Sequence, residues 1–253
     1  MKNQLELAAT FRSLHQPGKP LVLFNAWDAG SAKTVAQTGA KAIATGSWSV
    51  AAAYGYDDGE QLPLSLALAN LERIVSCVEL PVTVDLEAGY GNIGETARAA
   101  VKAGAVGFNF EDGRIGAEGL QPIAAQAERI REARTAVDAV LANVFINART
   151  DMFLRAPADQ HSDEMVEDAL ARASAYAQAG ANGLFVPGLA DPQKIKRICD
   201  NSPLPVNIMG KPGTTKPGEL AKLGVARISY GPFPYRIAME ALRQAALEAN
   251  TPL

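Results

Sequence analysis

Residues 82–92 read VTVDLEAGYGN: strand-forming residues, then two carboxylates, Asp85 and Glu87, two positions apart, then glycines. Acids that close an apolar strand do little for a core. Two more runs end in polar or charged residues. VGFNFED (106–112) ends in Glu111 and Asp112, and VFINART (144–150) ends in Asn147 and Arg149, with Asp151 next. GYDDGE (55–60) adds Asp57, Asp58 and Glu60. Strand residues i and i+2 share a face, so Asp85 and Glu87 are expected to point the same way, as are Arg149 and Asp151. Carboxylates gathered in a partly desolvated place repel one another, and a bound cation relieves them. No His or Cys stands with them. An all-oxygen donor set suits Mg2+, with Mn2+ as the alternative, far better than Zn2+.

Each of these residues also has a plainer reading. Asp28, just before GSAKTVAQ, is expected to cap a helix. Asp112 and Asp151 fit a structural role as well as a functional one. Asp85, Glu87 and Glu111 do not, because no helical run follows closely enough for them to cap. Arg149 is the one strand-end cation. It could hold a carboxylate or a developing enolate oxygen in its planar fork, or serve as a counter-ion for the acids. The glycines of GYGN (89–92) would let a substrate or a loop approach the backbone, and Thr45-Gly46-Ser47 could turn N–H groups toward an anion. Asn207 stands in a seventh strand-like run.

Those side chains need a frame. Eight runs rich in β-branched or apolar residues recur: LVLFNAW, AIATGS, VTVDLE, VGFNFED, VFINART, GLFVPG, VNIMG and RISYG. Helical spacing fills most gaps, as in 122–140, where Ile123, Ala127, Ile130, Ala133 and Val137 share a face. Gly39, Gly104, Gly180 and Gly224 each end a helix before a strand, and Pro20, Pro81 and Pro205 introduce strands one, three and seven. This alternation predicts one (β/α)8 barrel domain over 1–253, rather than a doubly wound open sheet. Residues at the C-terminal strand ends then share one mouth.

The chain has 253 residues, 48% hydrophobic, and a net charge of -3, which offers no basic stripe for nucleic acid. No apolar run approaches the roughly 18 residues that span a bilayer, so no membrane partner is expected. The N-terminal stretch lacks the apolar centre of a secretion signal, so the cytoplasm is the expected compartment. Cys77 and Cys199 lack ligand spacing and read as buried free thiols.

AWDAGSA, the TGS turn, GYDDGE, VDLEAGYG, GFNFEDG and INARTD occur in the order and at the spacing of the isocitrate lyase / phosphoenolpyruvate mutase superfamily, which the chain resembles from about Phe11 to Tyr235. The resemblance implies a (β/α)8 barrel, a tetramer built as a dimer of dimers with the last helix exchanged between subunits, and Mg2+ bound to a 2-oxo acid or its enolate. It implies Asp85 as the direct metal ligand and Asp58, Glu87 and Glu111 as acids that hold the metal's waters. Thr45, Gly46 and Ser47 would cradle the substrate carboxylate, and Arg149 would face the oxyanion. The loop after strand four, DGRIGAEGLQP (112–122), departs from the family. It carries neither the Lys-Lys-Cys-Gly-His stretch of the lyases nor the Asn-Ser pair of the mutases. Beyond Asp112 its titratable residues are Arg114 and Glu118, and Glu118 is the candidate general acid or base. Three glycines make residues 113–121 a candidate lid.

These readings lead to a Mg2+-dependent lyase that acts on a small 2-oxo acid, or a substrate that yields one, through an enolate. Catalytic candidates are Arg149, Asp58 and Glu118; substrate-binding candidates are Thr45, Gly46, Ser47, Arg149 and Asn207. P–C bond chemistry on phosphonopyruvate-like substrates is the alternative, and a non-catalytic 2-oxo acid binder is another.

Overall fold

A computed structural model describes residues 3–250. The strands are β1 (Leu21–Leu23), β2 (Ile43–Ala44), β3 (Val82–Asp85), β4 (Gly107–Glu111), β5 (Phe145–Arg149), β6 (Gly183–Phe185), β7 (Val206–Met209) and β8 (Arg227–Ser229). The α-helices are α1 (Gln4–Ser13), α2 (Ala29–Gln37), α3 (Ser47–Ala53), α4 (Leu64–Ser76), α5 (Ile93–Lys102), α6 (Ile123–Asp138), α7 (Met152–Arg155), α8 (Asp163–Gln178), α9 (Pro192–Asn201), α10 (Pro217–Lys222) and α11 (Phe233–Ala249). The strands pair in parallel in the order β1-β8-β7-β6-β5-β4-β3-β2. A single bridge, Ala26 to Thr45, joins the two ends, and Ala26 N–H donates to the Ala44 carbonyl at 2.8 Å. This is the expected (β/α)8 barrel.

The seam between β1 and β2 has a side-chain staple. Asn25 Nδ2 donates to the Thr45 carbonyl at 2.8 Å, while its Oδ1 accepts the N–H groups of Tyr230 and Gly231 at 2.9 Å each. β2 is short because the chain leaves the sheet at Thr45 and starts α3 at Ser47.

The punctuation works as the sequence suggests. Gly39, Gly104, Gly180 and Gly224 all have left-handed φ, between 84° and 104°. Two are also short of space: a Cβ on Gly104 would lie 2.5 Å from Val75, and one on Gly180 2.7 Å from Arg134. On α6, Ala127, Ile130, Ala133 and Val137 are buried, and Ile123 in the first turn is half-buried. The main core lies between the sheet and the helices around it.

The sequence patterns assign α1 no role, yet it seals the bottom of the barrel. Phe11 is fully buried and meets Phe145 edge-on, with ring centroids 5.6 Å apart. His15 stacks on Phe145 at 3.8 Å, and its Nδ1 bonds to the Phe11 carbonyl at 2.8 Å. Gly107 at the start of β4 makes room, since a Cβ there would come within 2.9 Å of Phe11.

α11 leaves the barrel surface. Pro234 is its one buried residue, and Ile237 and Leu242 are 50% and 62% exposed. On the outer side of β1, Val22 is also exposed, as is Phe24 just beyond it. The cysteines are free but half-buried rather than buried, and burial pushes the Cys199 thiol up to about 12. Among the described residues, no helix is long and apolar enough to cross a membrane.

Candidate active site

Asp85 closes β3. Its N–H donates to Thr45 Oγ1 at 3.1 Å, and its Oδ2 accepts from the N–H and hydroxyl of Ser47 at 3.3 and 3.1 Å. Glu87 corrects the i, i+2 expectation. It lies beyond the end of β3 with φ 49°, so strand alternation does not set its direction. Its carboxylate instead turns to the loop after β2. There Oε2 accepts the N–H groups of Gly59 and Glu60 at 2.9 and 2.7 Å, and Oε1 accepts the Tyr90 hydroxyl at 2.9 Å. Glu60 answers by accepting Tyr90 N–H at 2.7 Å. The loops after β2 and β3 are thus clasped together. Gly89, with φ 99°, packs against protein rather than opening toward a ligand: a Cβ there would sit 3.0 Å from Ile93 and 3.1 Å from Phe110.

Arg149, at the end of β5, is the hub. Its Nη1 lies 2.9 Å from Glu111 Oε2 and 3.8 Å from Asp85 Oδ2. Nε and Nη2 grip Asp151 with a fork, at 2.5 and 3.2 Å. Burial works against its charge, but Glu111, Asp151 and Asp85 outweigh that and hold the guanidinium protonated above its usual range. Asp112 belongs elsewhere. It accepts Arg172 Nη1 at 3.0 Å, the Tyr176 hydroxyl at 2.9 Å and Asp151 N–H at 3.1 Å, a wholly structural set. Asp28 caps α2 as expected, accepting Ser31 N–H at 2.7 Å.

The remaining acids are under strain. Burial, then the charges of Asp85 and Asp58, raise Glu87 to about 7 against the bonds from Glu60 and Tyr90. Burial also holds Glu111 well above the usual carboxylate range despite Arg149. Asp58 is raised by burial of its carboxyl end and by Asp85, although the residue is exposed at the rim. Such acids, of which Glu111 touches Arg149, fit a bound hard cation. Among the described residues, no three His, Cys, Asp or Glu side chains converge as a direct ligand group. An all-carboxylate donor set fits a hard ion such as Mg2+, which keeps several of its waters.

A cavity of about 270 Å³ opens at the mouth, and Gly46, Ser47, Asp58, Asp85 and Arg149 border it. The other candidates stand apart. Thr45 N–H donates to the Thr83 carbonyl at 3.0 Å and its hydroxyl oxygen accepts Asp85 N–H at 3.1 Å, so its backbone offers no free N–H to a substrate. Asn207 lies buried below the cavity, where Nδ2 donates to Ser229 Oγ at 3.2 Å. Glu118 is exposed at the tip of the segment after β4, outside the cavity lining. That segment is anchored at its base: Gly113 bridges Leu120, and Gln121 N–H donates to the Asp112 carbonyl at 2.8 Å.

Sequence reading missed Asn109 and Ser229, which also line the cavity, and Arg227 beneath them. The signal was there. Asn109 stands two before Glu111, Ser229 two after Arg227, and an arginine opening an apolar strand run is itself unusual.

A parallel barrel whose strand ends gather acids around one arginine is the build of a barrel enzyme's active face. The comparisons narrow that class. The chain belongs to the phosphoenolpyruvate phosphomutase family, whose model matches residues 11–250. It is 50% identical to a crystal structure of a candidate phosphonomutase from Burkholderia cenocepacia J2315, with TM-score 0.94 over 98% of this chain and 100% of that one. It is 37% identical to an uncharacterised protein of Mycobacterium tuberculosis, over 94% of this chain and 87% of the relative. It is 32% identical to 2-methylisocitrate lyase of Salmonella typhimurium, over 77% of this chain and 70% of the relative. The superfamily resemblance read from the motifs is borne out.

Proposed function

We propose that the chain is a metal-dependent carbon–carbon lyase that acts on a small 2-oxo acid, or a substrate that yields one, through an enolate. The observation that carries this reading is the meeting of Asp85, Asp58, Glu87 and Glu111 at one mouth, with Arg149 among them. In this reading Asp85 touches the ion, and the other three acids hold its waters. Mg2+ is the first choice and Mn2+ the second. Once bound, the ion supplies a Lewis acid for charge developing on the 2-oxo group. Arg149, fixed by the Asp151 fork, directs its remaining N–H groups at the same developing oxyanion. Gly46 and Ser47 border the substrate, Thr45 steadies Asp85, and Asn207 steadies Ser229. Glu118 acts as acid or base only if the tip after β4 folds over the mouth.

A second reading, P–C bond chemistry on phosphonopyruvate-like substrates, draws on the identity with the candidate phosphonomutase. A metal-supplemented screen of 2-oxo acids, malates and phosphonates, followed by pyruvate release, separates the two. Pyruvate from carbon substrates, lost on chelation, is the expected result. Turnover of phosphonates alone would select the second reading, and binding without turnover of anything would sink both.

The same reading includes assembly as a dimer of dimers through exchange of α11. Its exposed Ile237 and Leu242, and the uncovered Val22 and Phe24, support this. Light scattering at micromolar concentration should show a tetramer; a monomer would end the idea.

A further inference from the structure

The cavity has two poles, and the acids occupy one of them. The other is its floor, where Asn109 of β4 and Ser229 of β8 reach the cavity from opposite sides of the barrel. Beneath them lies Arg227, 1% exposed. Its Nη2 donates to Asn109 Oδ1 at 3.2 Å, and its Nε donates to Ser229 Oγ at 3.1 Å. Its Nη1 is buried and has no partner among the described residues. An arginine inside a barrel, bonded only to neutral groups, is costly unless it does something for them. Burial lowers its pKa to about 9, which leaves it charged at neutral pH, and Asp85 is the one charge that supports it.

Donor and acceptor counting shows what it does. A guanidinium donates and never accepts, so the amide atom of Asn109 that faces Arg227 is fixed as oxygen. Asn147 Nδ2 donates to that same oxygen at 2.9 Å. The Asn109 NH2 group therefore points the other way, to the cavity. Ser229 Oγ likewise accepts twice, from Arg227 Nε and from Asn207 Nδ2 at 3.2 Å. With its lone pairs taken, its O–H has only the cavity to serve. Arg227 thus turns both floor residues into donors and sets a positive charge under them.

We infer that this floor is a carboxylate seat: Asn109 Nδ2 and Ser229 Oγ grip an acidic group of the substrate, and Arg227 is the positioning residue that makes both of them donors. The site then selects substrates with two acidic ends, one at the metal pole and one on the floor. This rests on the lyase reading for the metal pole, while the seat itself rests on Asn109, Ser229 and Arg227.

Lactate and malate test it, since both are 2-hydroxy acids and they differ by one carboxylate. Their affinities are measured by calorimetry with Mg2+ present. Wild type should prefer malate by about tenfold or more, the usual weight of hydrogen bonds to a charged group. Asn109→Leu and Ser229→Ala should each cut that ratio several-fold and leave lactate and Mg2+ affinities unchanged. Arg227→Met should bring the ratio near one, and Arg227→Lys should restore part of it. If Arg227→Met does not fold, the two floor variants still decide. A wild type that shows no malate preference, including one that binds neither acid, would overturn the seat. So would a preference that survives both floor substitutions. If wild type binds no Mg2+ yet prefers malate through Asn109 and Ser229, the metal reading fails and the seat stands.

Discussion

At the bottom of the barrel, Phe11, His15 and Phe145 pack ring against ring, and the one titratable group among them is held neutral. Burial and the nearby Arg227 charge push His15 down to about 3. At the mouth, Asp85, Glu111 and Asp151 surround Arg149, Asp58 and Glu87 lie near Asp85, and burial pushes Asp58, Glu87 and Glu111 upward. The same eight strands carry both ends. One end is built of packed rings, whereas the other gathers several buried acids around a single arginine. Ring packing and the candidate site thus lie at opposite ends of the strands, and each end can be altered while the other serves as the control.

The strongest contrast comes from Asp85→Ala. It should lower Mg2+ affinity and turnover by more than the about 10–100-fold typical of a supporting residue. Its melting temperature should hold or rise, because one repelling charge is gone. Calorimetry and thermal melts check both, and unchanged Mg2+ affinity would show that the ion sits elsewhere. Phe11→Ala should do the reverse. It removes a fully buried ring, at a cost of about 3–5 kcal/mol in urea unfolding, and leaves Mg2+ affinity as it was.

The smallest effect is in pH. His15 is depressed, so its contribution to stability is full above 6.5 and is lost as pH falls toward 3. Glu87 is raised, so its contribution is full below 4.5 and is lost as pH rises through about 7. Between pH 7 and 4.5 the metal-free protein therefore loses stability at the bottom and gains it at the mouth. Urea midpoints over that range should fall more steeply for Glu87→Gln than for wild type, and less steeply for His15→Phe. Parallel slopes in all three proteins would mean that neither group titrates as its surroundings dictate.

Much of the mouth was legible because strand ends announce themselves. Asp85, Glu111 and Arg149 each close an apolar run, and the glycine and proline joints fix where those runs begin. Glu87 was found for the wrong reason: alternation stops at Asp85, and a left-handed residue with two backbone donors from another loop leaves no periodic trace. That Thr45 N–H already serves the ladder to β3 was not legible, because a three-residue motif does not show which of its N–H groups are free. The bottom was not legible at all. α1 has an ordinary helical composition, and its place under the barrel depends on Phe145 and Gly107, more than ninety residues away in the chain.

The seam between β1 and β2 carries one last implication. Seven of the eight joints in the ring are ladders, but the eighth depends on one backbone bond and the amide of Asn25. Closure therefore hangs on a single amide. An Asn25→Asp exchange would set an oxygen against the Thr45 carbonyl where a donor now stands. The barrel would loosen first beside Gly46 and Ser47, at the edge of the cavity.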